Sequence, residues 1–132
     1  VNFARLSGAK GIHVIASLTP GATWETVKDF AQRFAMAMAV QSPERFTATM
    51  SKAKRQGRIF IDWRRNQRGS TSVVPYSARA RPGATVATPI GWDELDDYAD
   101  AQAFSIRDAD RLLSRARKLR GWGFCDRSLP AF

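Results

Sequence analysis

Two short segments of this chain carry residue types that do chemistry on phosphates. Ser7-Gly8-Ala9-Lys10-Gly11-Ile12-His13-Val14 places small residues, a lysine and the chain's single histidine on a glycine turn running into a strand. Such a turn offers backbone N–H groups and cations to a phosphate chain. Arg58-Ile59-Phe60-Ile61-Asp62-Trp63-Arg64-Arg65-Asn66 ends an apolar stretch in one carboxylate, followed by two arginines and an asparagine. An aspartate so placed is suited to a divalent metal, and the polar residues after it to phosphate. Together the two segments read as half of a nucleotidyl-transfer site.

Each residue also has a plainer reading. A lone strand histidine is commonly structural, yet alternation puts His13 on the face opposite Ile12 and Val14, beside the turn holding Ser7 and Lys10. There an imidazole, neutral or charged, either donates to a phosphate oxygen or acts as general acid on a leaving pyrophosphate. Asp62 closes an apolar strand, so burial demands a cationic partner: a metal or substrate, or else Arg64, Arg65 or Arg79 in an ion pair. The run Lys52, Lys54, Arg55 and Arg58 is either a solvated face or a phosphate contact. Asp93, Asp96, Asp97 and Asp100 read as a solvent-facing acidic stretch, which leaves one candidate carboxylate where two-metal phosphoryl transfer needs several.

The elements that must position these residues follow from periodicity. Alternation predicts a strand over 11–18, broken by Thr19-Pro20-Gly21. Thr23 caps a helix in which Trp24, Val27, Phe30, Ala31, Phe34 and Met38 form a core-facing stripe, ending before Ser42-Pro43. Residues 59–61 read as a buried strand, and 71–77 as its return in a hairpin, with Pro75 at an edge or bulge. A Pro82-Gly83 turn, an extended piece over 86–90 and a short acidic helix from Gly91 come next. A last helix starts at Ser105 or Asp108 and carries Ile106, Leu112, Leu113 and Leu119 among basic residues that suit its dipole.

With 132 residues, 44% of them hydrophobic, the chain is one domain's worth and long enough for a core. No repeat, low-complexity tract or linker stands out. Its 21 Lys and Arg against 12 Asp and Glu give a net charge of +9, which favours a polyanionic partner through counterion release. A single cysteine, Cys125, excludes an internal disulfide and a cysteine-based zinc cluster, and fits a reducing cytoplasm. No apolar run reaches the roughly 20 residues that span a bilayer, and no signal-peptide pattern opens the chain.

SGAKGIHV, FIDWRRN and VVPYSARARPGATVATPIGWDEL, in that order, resemble the polymerase domain of bacterial DNA ligase D, within the archaeo-eukaryotic primase superfamily. The resemblance extends to Trp24-Glu25-Thr26-Val27-Lys28 and Phe104-Ser105-Ile106-Arg107, and so covers nearly the whole chain. It implies an α+β fold, an RNA-recognition-motif-like antiparallel or mixed sheet with flanking helices, in a primase-polymerase that adds ribonucleotides to DNA ends during non-homologous end joining with Mn²⁺ or Mg²⁺. By the same resemblance Ser7, Lys10 and His13 bind the incoming nucleoside triphosphate, Arg55 and Arg79 contact it, and Asp62 is the catalytic metal-site carboxylate.

The family's Asp-x-Asp pair, which holds both metals, has no counterpart before Ser7. The expectation is therefore one domain over 1–132, the C-terminal portion of a primase-polymerase, catalytically incomplete alone and with sheet surface left uncovered, hence prone to self-association. The implied partners are a nucleoside triphosphate, DNA, and the missing N-terminal half, a ligase domain or a second copy. No membrane is implied, and the expected location is cytoplasmic, at the bacterial nucleoid. The alternatives are a non-catalytic nucleotide-binding or nucleic-acid-binding module, or a subunit completed in trans.

Overall fold

The computed structural model describes residues 2–123; Cys125 lies outside the described residues. Seven regular elements follow in chain order: β1 (Phe3–Leu6), β2 (Ile12–Ile15), α1 (Trp24–Gln41), β3 (Phe46–Thr47), β4 (Ile59–Phe60), β5 (Thr88–Ile90) and α2 (Ala109–Lys118). Short 3₁₀ turns stand at Ala53–Arg55, Trp92–Asp97 and Ile106–Asp108. The fold is α+β, as expected, and the described residues gather into two compact units, 2–18 with 73–123 and 19–72.

The first unit is built on an antiparallel sheet of order β2-β1-β5. Its core face carries Ala4, Leu6 and Ile90, joined by Val86, Ala101 and Phe104, with Leu95, Tyr98, Ala103 and Leu112 packed against them. That layer covers β1 and β5 and stops short of β2. Alternation in β2 holds as expected, but shelter runs against hydrophobicity: Ile12 and Val14 are 42% and 61% exposed, whereas His13 and Ile15 are half-buried.

Residues 84–90 knit this unit together. Tyr76 N–H donates to Ala87 O, Ala87 N–H to Ser77 O and Arg79 N–H to Thr85 O, at 2.7, 3.0 and 2.7 Å. On the opposite side Val86 N–H donates to Phe104 O and Ile106 N–H to Ala84 O. Residues 76–79 thus pair with the segment that follows them rather than returning along 59–61, and the expected hairpin does not form. The Pro82-Gly83 turn makes the downstream partner the shorter loop to close.

In the second unit Thr23 caps α1 by accepting from Thr26 N–H at 3.2 Å, and the helix stops before Ser42-Pro43 as expected. Only Ala35 on it is fully buried; Trp24 and Phe34, placed in the core stripe by periodicity, are exposed. Within this unit β3 and β4 form a two-residue parallel pair, too small a platform for the helix stripe to bury against. The strand before Asp62 is accordingly short and Ile59 is 61% exposed, not the buried strand its apolar run suggests.

The last helix is entered through a capping box, in which Ser105 Oγ accepts from Arg107 N–H and Asp108 Oδ2 from Ser105 N–H. It then delivers Arg115 into the core rim. The Arg115 guanidinium donates to Glu94 Oε2 at 2.7 Å and Oε1 at 3.1 Å, to Tyr98 Oη at 3.0 Å and to Pro89 O at 3.1 Å. Both charged side chains are nearly buried, 12% and 13% exposed. Hydrogen bonds from Arg115 first, and then from Gly91 N–H and Lys118 Nζ, hold the Glu94 carboxyl down at about 2 against the opposing effect of burial.

A folded-state value of about 2 against an ordinary 4.5 means the ion pair contributes stability above the ordinary value and loses it as pH falls from there toward 2. We expect a Glu94→Gln variant to be less stable than wild type at pH 7 by about 2–3 kcal/mol. The gap should shrink from about pH 4.5 downward and nearly close by about pH 2, read as urea midpoints across that range.

Candidate nucleotide phosphate site

The Ser7–Gly11 turn joins β1 to β2, and its shape is fixed from three sides. Ser7 N–H donates to Gly11 O at 3.1 Å, and the buried Ser7 Oγ accepts from Ala9 N–H and Gly11 N–H at 3.1 and 3.3 Å. Gly8 N–H donates to Ala101 O at 2.9 Å, while Gly8 O accepts from Thr85 Oγ1 at 2.5 Å. The serine hydroxyl oxygen is thus spent on the turn, and its proton is the group left to meet a ligand. Lys10 stands exposed at the tip.

Gly8 adopts φ +67°, and a Cβ there would lie 2.9 Å from Arg79 Cγ and 3.2 Å from Ala87 N. The aliphatic stem of Arg79 therefore crosses directly over the turn, which brings a second cation to it. Arg79 N–H is fixed to Thr85 O, so the turn and this arginine share one anchor.

Arg5 completes the group, and sequence reasoning missed it. In the register Arg5 faces His13, and its guanidinium Nη2 donates to His13 Nδ1 at 2.6 Å. Arg5 is only 4% exposed. Burial, and secondarily the nearby charge of Arg79, push its pKa below the ordinary arginine value. One signal was available: a hairpin turning about residue 9 pairs positions whose numbers sum to 18, which sets 5 against 13.

Arg55 and Asp62 belong to the other unit. Arg55 donates through Nη2 to Met50 O at 2.8 Å and lays its guanidinium over Phe60, 3.8 Å from the ring centroid. Asp62 is exposed, contrary to the burial expected from its apolar strand; Oδ1 accepts from Arg64 N–H at 3.1 Å, and Arg65 Nε stands 4.0 Å from Oδ2. Arg65 also donates to Thr71 O, and Asn66 to Trp63 O, so these two polar side chains brace their own loop. Among the described residues no three His, Cys, Asp or Glu side chains converge on a metal position. One exposed carboxylate does not fit a complete divalent-metal centre.

The structure therefore unites Ser7, Lys10, His13 and Arg79 around one turn, with Arg5 beneath. Cations of like sign gathered at one turn are suited to an anion, because an oxyanion relieves their repulsion.

A family model described as the LigD primase-polymerase domain matches residues 1–119. A multifunctional non-homologous end joining protein LigD from Pseudomonas aeruginosa is 40% identical over 111 residues, covering 84% of this chain and 13% of that protein. A bifunctional LigD from Bacillus subtilis is 32% identical over 126 residues, covering 95% of this chain and 20% of that protein. A solved polymerase domain from Mycobacterium tuberculosis ligase D in complex with DNA matches with a TM-score of 0.80 at 36% identity, over 90% of this chain and 40% of that one. The chain thus spans well under half the length of each relative it matches.

Gly8→Ala meets both a left-handed backbone and a close Cβ contact, so we expect a loss of about 1–3 kcal/mol. Gly11→Ala enters open space and should stay within about 0.5 kcal/mol of wild type. Urea titration of the two variants compares them directly.

Proposed function

Given that this chain belongs to the LigD primase-polymerase family, we propose that it is the nucleoside-triphosphate-gripping part of a polymerase that adds ribonucleotides to DNA ends in non-homologous end joining. The observation that carries this reading is the turn bearing Lys10, with Arg79 crossing it and His13 on the adjoining strand opposite Arg5, four nitrogen-bearing side chains at one hairpin. In this reading Lys10 and Arg79 neutralise the triphosphate, Arg79 as a planar fork able to meet two oxygens. The Ser7 hydroxyl and the His13 ring donate to phosphate oxygens, and Arg55 adds a contact.

Transfer to a DNA 3′-hydroxyl further requires Mn²⁺ or Mg²⁺. We assign Asp62 one ligand position; the other carboxylates come from outside the described residues, whether from the remainder of a longer protein, an attached ligase domain or a second copy. The DNA partner is proposed from the net charge of +9 and from the DNA-bound relative. The setting is a bacterial cytoplasm, at the nucleoid; among the described residues no helix is long and apolar enough to cross a membrane.

The test is titration of the 132-residue chain with ATP and Mg²⁺, following the ring signals of His13. We expect saturable shifts that inorganic tripolyphosphate displaces, and an affinity about tenfold weaker in Lys10→Ala, the size of one charge-assisted hydrogen bond. Unchanged ring signals in a folded sample would overturn the reading. The chain alone should not extend a primer with Mn²⁺; extension would instead favour completion by a second copy.

A further inference from the structure

The two ring nitrogens of His13 are not equivalent, and the strand beside it decides which one carries the proton. A guanidinium is a donor only, with no lone pair to offer and no proton it gives up in a protein. Arg5 Nη2 lies 2.6 Å from His13 Nδ1, so Nδ1 must be the acceptor and the ring's proton must reside on Nε2. We propose that Arg5 is the positioning residue of this site, holding His13 as the neutral Nε2–H tautomer so that Nε2 serves as a fixed donor to a triphosphate oxygen. The inference rests on the nucleotide reading above and assigns the donor atom within it.

Three features of the structure support the assignment. The strand register places Arg5 directly across from His13, so the contact is set by backbone pairing and not by a chance rotamer. Arg5 is buried, which limits the alternative positions of its head. Arg79 crosses the same turn over Gly8, so that an anion arriving there meets a cation beside a ring already oriented.

The same geometry bears on chemistry. A cationic imidazole would carry a proton on Nδ1, pointing one donor at another across 2.6 Å. While Arg5 holds the ring, His13 therefore acts as a neutral hydrogen-bond donor and not as a cationic general acid toward the leaving pyrophosphate. Of the two roles its sequence position left open, the geometry favours binding.

The experiment is a long-range ¹H–¹⁵N correlation on the full chain with ¹⁵N-labelled histidine at neutral pH, combined with ATP–Mg²⁺ titration of wild type, Arg5→Met and Arg5→Lys. The single histidine makes the assignment unambiguous. The expected result is a pyridine-like Nδ1 and a pyrrole-like Nε2 in wild type, averaging toward mixed tautomers in Arg5→Met and restored in Arg5→Lys. ATP affinity should fall about tenfold in Arg5→Met and recover in part in Arg5→Lys, a rescue that loss of packing alone would not produce. A protonated Nδ1 or a mixed ring in wild type overturns the proposal without any variant, as does an Arg5→Met chain with unchanged tautomer and affinity within twofold. A fixed tautomer with no saturable ATP binding overturns the nucleotide reading and the donor role with it, whereas a mixed tautomer with intact ATP binding overturns the role of Arg5 alone.

Discussion

The segment 84–90 is the constraint on which the first unit depends. Its backbone bonds to 76–79 on one side and to 104–106 on the other, and its end pairs with β1 as strand β5. Thr85 alone links three parts: its carbonyl accepts from Arg79, its hydroxyl donates to Gly8, and its side chain is buried in doing so. A polar residue buried with its bonds satisfied costs little and specifies position sharply, since any shift leaves donors and acceptors unmatched. The phosphate turn therefore borrows its rigidity from a segment that carries none of the chemistry. Small residues at Gly8 and Ala87 let the backbones approach closely enough for this to happen.

Two nearly buried arginines in this unit show opposite electrostatic responses. Arg115 is charged against the carboxylate of Glu94, which leads the factors raising its pKa, and it caps Pro89 O and stacks near Tyr98 and Phe104. Its surroundings are complementary to a cation, as in a closed ion pair. Arg5 is instead pushed down, first by burial and then by Arg79. The heavily bonded Arg115 is architecture, whereas Arg5 is held beside Arg79 and across from His13.

Much of this was legible in the sequence, and what was not has a common cause. The cap at Thr23, the stop at Ser42-Pro43 and the glycine turn before His13 are local signals, and each appears where the residues put it. Strand β1 is hard to read because it is only four residues long, Phe3-Ala4-Arg5-Leu6, and its buried Arg5 stands on the face opposite Ala4 and Leu6. The false hairpin from 59–61 to 71–77 arose because two β-prone runs flank a turn, whereas the real partner of 76–79 lies across a second, tighter turn. The stripe on α1 has helical spacing, yet spacing says only that a face exists, and within its unit β3 and β4 offer too little surface to bury Trp24 and Phe34.

The reading of Asp62 illustrates why a motif fixes residue type better than environment. An apolar run ending in aspartate suggests a buried carboxylate with strongly shifted chemistry, but the strand is two residues long and the carboxylate is open to water, braced by Arg64 N–H. An exposed carboxylate pays no desolvation penalty, so its contact with Arg65 at 4.0 Å adds little to stability. It also has low affinity for a metal until further oxygen ligands share the ion, because hard divalent cations need several such donors to replace their hydration shell. The turn faces no such requirement: its N–H groups are largely spent within the fold, and the Lys10 and Arg79 cations it gathers attract an anion without sharing a metal. In the proposed reading, triphosphate binding and metal-assisted transfer are therefore separable on physical grounds, and the first asks nothing of the residues that the second still lacks.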